Sequence, residues 1–227
     1  MKPLIIAIDG PSGAGKGTVA RALATRLGYR HLDTGAMYRA VAWKALQDRV
    51  ELDDESGVAA VAERAVLDVN DNGVRIDGYD VTRAIRTPEI DRAAAAVARL
   101  PAVRAVLVKR QRRAGEGGGI VMEGRDIGTV VFPDADVKLY LDASAEERAR
   151  RRAQDPAHAV SRQTPLSVVE SAMQTRDDSD RSRAVSPLRR ADDAIHVETT
   201  GQTVEQVLER VLELVEATLK LGDSKIG

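Results

Sequence analysis

Nine residues close to the start of the chain, Gly10-Pro11-Ser12-Gly13-Ala14-Gly15-Lys16-Gly17-Thr18, constrain its fold more than any other stretch. They follow the apolar run Leu4-Ile5-Ile6-Ala7-Ile8, closed by Asp9, which has the pattern of a buried parallel strand. Behind them Val19, Ala20, Leu23, Ala24 and Leu27 recur at helical spacing as far as Gly28, a natural stop. Strand, glycine-rich turn and helix in that order form the setting of a phosphate-binding loop. Glycines let the backbone curl until its N–H groups converge on an anion, and the helix N-terminus adds its positive end. Lys16 adds a full charge beside the outer phosphates, so the implied ligand is a nucleoside triphosphate. The strict pattern has Ser or Thr directly after the lysine to hold magnesium, but here Gly17 stands there and Thr18 follows. One residue turns a helical side chain by about 100°, so Thr18 is no simple substitute. Magnesium is then expected on nucleotide phosphates, water and an acidic side chain from elsewhere.

The 227 residues suit one domain, or one core with insertions. A net charge of −1 gives no global pull toward nucleic acid or a membrane surface. Arg far outnumbers Lys, which fits a phosphate-handling enzyme and fits GC-rich codon usage equally well. Without cysteine there is no disulfide framework, thiolate metal site or cysteine nucleophile. Because the first strand begins at once and no apolar run reaches membrane length, a soluble cytoplasmic protein is expected.

Tyr29-Arg30-His31-Leu32 reads as a second strand, and Asp33 or Thr34 as the cap of a helix through Met37, Val41, Ala42 and Leu46. Arg39 on that helix is, by default, a solvated charge. Residues 50–63 read as a polar loop and short helix. Short alternating runs at Val66–Val69, Val74–Ile76 and Tyr79–Val81, split by Asn70-Asp71-Asn72-Gly73 and Asp77-Gly78, indicate an antiparallel meander. Thr87-Pro88 opens a helix and Pro101 divides it from a second, so about 65–113 reads as an insertion between parallel-sheet units. Ile120-Val121-Met122-Glu123 is a strand whose terminal Glu123 suits a ligand to magnesium through water, or a carboxylate bonded to backbone. After the strand Val137–Leu141, Ser144-Ala145-Glu146-Glu147 starts a helix with Arg148, Arg151 and Arg152 on one face. Gln154–Thr164 reads as a mobile loop. Arg176, Asp180 and Arg183 fall on one helical face, either a solvated end or an organised surface. Ala194–Val197 is the last strand and Val204–Leu221 an amphipathic helix; His31, His158 and His196 lack metal-ligand spacing and receive no role. The alternation implies a parallel α/β sheet with Asp9–Thr18, Asp33–Arg39, Glu123–Asp126 and Asp142 gathered beyond its strand ends.

The phosphate loop, Asp33-Thr34-Gly35-Ala36-Met37-Tyr38-Arg39, Glu123–Pro133 and Ser182-Arg183-Ala184-Val185-Ser186-Pro187-Leu188 together resemble the bacterial cytidylate kinases, over nearly the whole chain. The resemblance implies a P-loop-type parallel five-stranded sheet with core segments 1–64, 114–148 and 184–227. It also implies a monophosphate-binding insert at about 65–113 and a short lid within about 149–183, around the arginine-bearing stretch at 150–165. It implies transfer of the ATP γ-phosphoryl group to CMP or dCMP, with Mg2+, by a monomer that binds neither nucleic acid nor membrane. ATP would sit on Gly10 through Thr18. Arg39 and Arg125 would take the CMP phosphate, Thr34, Arg104 and Asp126 the cytosine with Arg183 nearby, and Arg176 and Asp180 the sugar. Lys16, Arg148 and Arg152 would be catalytic. Where relatives commonly carry a sugar-binding Ser, Ala95 stands. A kinase for another small acceptor on the same scaffold, and a nucleotide-binding module without transfer, remain as alternatives.

Overall fold

The computed structural model describes residues 3–155 and 164–223; the loop expected at 154–164, and His158 within it, fall almost wholly outside the described residues. In chain order come β1 (Ile5–Asp9), α1 (Lys16–Leu27), β2 (Arg30–Asp33), α2 (Thr34–Gln47) and α3 (Glu55–Arg64). The short strands β3 (Leu67–Asn70), β4 (Gly73–Ile76) and β5 (Tyr79–Asp80) follow, then α4 (Pro88–Val97) and α5 (Pro101–Gly115). The chain ends with β6 (Ile120–Gly124), β7 (Val137–Asp142), α6 (Ala145–Gln154), α7 (Leu166–Arg181), β8 (Ile195–Glu198) and α8 (Val204–Asp223).

Five strands form one parallel sheet in the order β2-β6-β1-β7-β8. Two-residue alternation divides the core. Ile6, Ile8, Val121, Leu139 and Leu141 face α1 and α8, while Ala7, Leu32, Ile120 and Met122 face α2, α3, α4 and α5. Helices on both faces are what an all-parallel sheet requires. Each fully buried Ile or Leu here adds about 1.5–3 kcal/mol of burial. The β3-β4-β5 meander forms its own antiparallel sheet, and Val74, Ile76 and Val81 pack against Ala36 and Ala40 of α2 and Ile85 and Ile90 beyond.

Local chemistry sets the helix ends. Asp33, Asp54, Thr87 and Ser144 each accept a backbone N–H at the start of α2, α3, α4 and α6. The short helix expected within 50–63 is the ten-residue α3, with Val58, Val61 and Ala62 as a buried face behind the Asp54 cap. One element differs from the sequence reading. After β6 the chain makes a π-helical turn, Ile127–Val131, held by the Asp9 carboxylate, which accepts the N–H groups of Ile127 at 2.8 Å and Gly128 at 2.7 Å. No periodicity announces a turn created by a partner 118 residues away.

The register brings Asp9, Asp33, Glu123, Gly124 and Asp142 to one edge of the sheet. Gly10 leaves that edge at φ 147°, and a Cβ there would lie 2.0 Å from the Leu141 carbonyl oxygen. Gly10→Ala is therefore expected to lose about 2–4 kcal/mol of stability, read as a fall in denaturant midpoint, since both backbone conformation and neighbouring strand forbid the methyl.

Candidate active site

Beyond that sheet edge lies a cleft of about 800 Å³ with the phosphate loop on one side. Ser12 through Thr18 line it, and Gly10 and Pro11 lie behind. Gly13 and Gly15 adopt φ 76° and 89°, which turn the loop into the start of α1. Lys16 is buried, and its Nζ donates to the Pro11 carbonyl at 2.7 Å. Burial, and then the Arg125 charge, push the Lys16 ammonium down to about 7, against the pull of Glu123, Asp177 and Asp9. Next to the loop, Arg151 donates to the Thr199 hydroxyl at 2.9 Å and the Thr199 carbonyl at 2.6 Å. The Thr199 hydroxyl lies 3.3 Å from the Ala14 carbonyl. With Gln202, Thr203 and Val204 at the start of α8, these residues extend the phosphate-loop side of the cleft.

The opposite side gathers Thr34, Arg39, Arg104, Arg125, Asp126, Arg176, Asp180 and Arg183, with Ala95 on its wall. They come from α2, α5, the residues just after β6, and α7 with the turn that follows it, segments distant in sequence. Arg39 is buried, not solvated, because it donates to Asp33 at 2.9 Å. Burial works against the charged form of Asp33, yet Arg39, Arg86 and the Ala36 N–H hold its carboxyl far below the usual range. Arg104 pairs with Asp126 and lies over the Tyr38 ring, 5.5 Å from its centroid. Burial pushes the Asp126 carboxyl up despite Arg104 and Arg183. Arg125 donates to Asp180 at 2.9 Å; burial opposes the Asp180 charge, but Arg125 and Arg183 keep that carboxyl low. Arg152 and Arg176 both bond to Asp91 of α4. The Nε atoms of Arg39, Arg104 and Arg176 and Nη2 of Arg183 are buried without a hydrogen-bond partner. Buried donors without partners are costly, and a ligand rich in acceptor oxygens would satisfy these four. The charge run at 176–183 is thus an organised face.

Glu123 faces the loop: a Cβ on Gly17 would lie 3.0 Å from Glu123 Oε1. His31 bridges that carboxylate, 3.2 Å from Nε2, and Asp71, 3.0 Å from Nδ1. Burial disfavours charge on His31, but Glu123 and Asp71 prevail and raise its pKa. Sequence reasoning gave His31 no role; its position two residues before Asp33 on the same strand face was the available signal. Arg86 and Thr199 were missed as well. Thr199 follows the last strand, where the strand-end rule points, whereas Arg86 has no local signal, since its partner Asp33 lies 53 residues away. Arg148, expected among the catalytic arginines, does not line the cleft. It lies behind the loop, bonded to the carbonyls of Ser12 and Ala143 and paired with Asp177.

The family model for cytidylate kinase matches residues 6–217. The chain belongs to the cytidylate kinase family. It is 47% identical over 224 residues to the cytidylate kinase of Desulfitobacterium hafniense (strain Y51), covering 97% of this chain and 96% of that one. It is 46% identical over 219 residues to the bifunctional pantoate ligase/cytidylate kinase of Acaryochloris marina (strain MBIC 11017), covering 93% of this chain but 42% of that longer protein. A gluconokinase structure from Sinorhizobium meliloti 1021 shares the fold, with a TM-score of 0.51 at 14% identity, covering 99% of this chain and 97% of that one. As a cytidylate kinase the chain is a nucleoside monophosphate kinase that uses ATP. No helix among the described residues is long and apolar enough to cross a membrane.

A lysine held at about 7 is expected to regain its proton beside bound phosphates. ATP binding at pH 8 is therefore expected to take up a proton through Lys16, and ATP affinity to fall as pH rises above about 7. Calorimetry in buffers of different ionisation heat checks this, and Lys16→Met should abolish the uptake.

Proposed function

We propose that the cleft phosphorylates CMP and dCMP as follows, a reading carried by the partnerless buried donors on Arg39, Arg104, Arg176 and Arg183 opposite the phosphate loop. ATP lies along Ser12–Thr18, with Gly10 and Pro11 shaping the loop. The acceptor phosphate lies between Arg39 and Arg125, which exchange Asp33 and Asp180 for phosphate oxygens. The sugar meets Arg176 and Asp180; Ala95 offers no hydroxyl, so these two carry that contact.

The base reading follows from donor and acceptor counts. The Thr34 hydroxyl already spends its proton on the Glu123 carbonyl, 2.7 Å away, so toward a ligand it can only accept. Asp126 likewise accepts. Together they suit the cytosine amino group and oppose the oxygen uracil carries there, while Arg104 and Arg183 donate to the ring's acceptors.

An acceptor phosphate oxygen attacks the γ-phosphorus, a new P–O bond forms, and the bond to the β,γ-bridging oxygen breaks, leaving ADP. No protein nucleophile is needed. Lys16, the loop amides and Arg152 neutralise the charge that moves between the nucleotides, and Arg151 holds the donor end. The donor set fits Mg2+: the Glu123 carboxylate lies beside the loop at Gly17 and is the kind of hard oxygen ligand this ion takes. Such a site suits an ion carried in by phosphates and water, with Glu123 bonding its water. When bound, the ion would screen the β- and γ-phosphate charge.

Release of ADP from Mg·ATP with CMP, dCMP, UMP or AMP tests the reading. CMP and dCMP are expected to turn over best, and Asp126→Ala to lose roughly 10²–10³-fold in kcat/KM for them, with much less change for UMP. Absence of turnover with either cytidine nucleotide overturns it.

A further inference from the structure

Ser12, near the middle of the phosphate loop, has both halves of its peptide environment fixed by buried side chains from α6 and α7. Its N–H donates to Asp177 Oδ1 at 3.1 Å, and its carbonyl accepts from Arg148 Nη1 at 3.0 Å. The two side chains pair with each other, and Arg148 Nε also donates to the Ala143 carbonyl at 3.1 Å. Asp177 is fully buried and Arg148 is 6% exposed, so neither is a solvated surface charge. The loop has no slack beside them: a Cβ on Gly13 would lie 2.8 Å from the Arg148 carbonyl and 2.7 Å from Met173 Cε. Asp177 is also one of the charges that oppose the lowering of Lys16.

We infer that Asp177 and Arg148 form a positioning pair that holds the phosphate loop in its ATP-binding shape through the Ser12 backbone. Neither lines the cleft. A phosphate loop is a ring of backbone dipoles with few side-chain contacts of its own, and the pair supplies the missing scaffold. Asp177 lies on α7 between Arg176 and Asp180, so the helix that carries acceptor-side residues also carries the anchor of the donor loop. The inference concerns the ATP side of the proposed reaction, and its test does not require CMP to be the acceptor.

Asp177→Asn and Arg148→Lys are compared with the wild type by calorimetric titration of Mg·ATP alone and CMP alone, and by kinetics. Each variant is expected to weaken Mg·ATP about tenfold, in line with the loss of one charge-assisted hydrogen bond, and to lower kcat, with CMP affinity within about twofold. The double variant should bind ATP no worse than the weaker single one, because both act through one pair. Unchanged ATP affinity in both variants overturns the pairing role, and so does an equal loss of ATP and CMP affinity, the mark of general disruption. If Asp177→Asn does not fold, Arg148→Lys, which keeps the buried counter-charge, decides by the same criteria. A wild type that binds Mg·ATP but never turns over CMP sinks the proposed acceptor while leaving the loop measurement intact.

Discussion

A cation-rich cleft must hold together before its anionic ligands arrive. Eleven lysine and arginine side chains line the described cleft against six acidic ones, in a chain whose net charge is −1. Two like charges 4 Å apart at a partly screened site repel by about 4 kcal/mol, so uncompensated they would force the walls apart. Carboxylates prevent this: Asp33 takes Arg39 and Arg86, Asp126 takes Arg104, Asp180 takes Arg125, and Asp91 takes Arg152 and Arg176. Each pair is buried deeply enough for partner choice to matter, and each leaves arginine N–H groups over. The same pairs that hold the cleft walls together leave arginine donors over for an anionic ligand.

Those pairs also connect the architecture. Asp33 caps α2 while it holds an arginine from the connection before α4. Asp91 ties α4 to α6 and α7, and Asp180 ties α7 to the end of β6. His31 joins the meander turn at Asp71 to Glu123 beside the loop. The donor side, the acceptor side and the small antiparallel sheet are therefore linked by side-chain charge as well as by apolar packing.

Much of this was legible from residue order. Apolar runs, caps and glycines announce the strands and helices because those signals act within a few residues. Less legible were the features made by distant partners. Arg39 looked like a surface charge because Asp33 and Arg86 could not be placed around it. Arg148 and Arg152 share a helical face in sequence, yet one turns behind the loop and the other into the cleft, since α7 occupies the space beside Arg148. The π-turn after β6 depends on Asp9 and has no local cause.

By itself the sequence determined the parallel α/β class, the phosphate loop and the lysine within it, because strand period, glycine torsion and helix dipole are local properties. Through its resemblance to the cytidylate kinases it also pointed to the acceptor-side residues. Tertiary structure alone decided which charges are buried, which carboxylate holds which arginine, and which arginines reach the cleft. The reason is physical: the pairing of a buried ion depends on the desolvation and position of groups tens of residues away, which spacing along the chain does not encode.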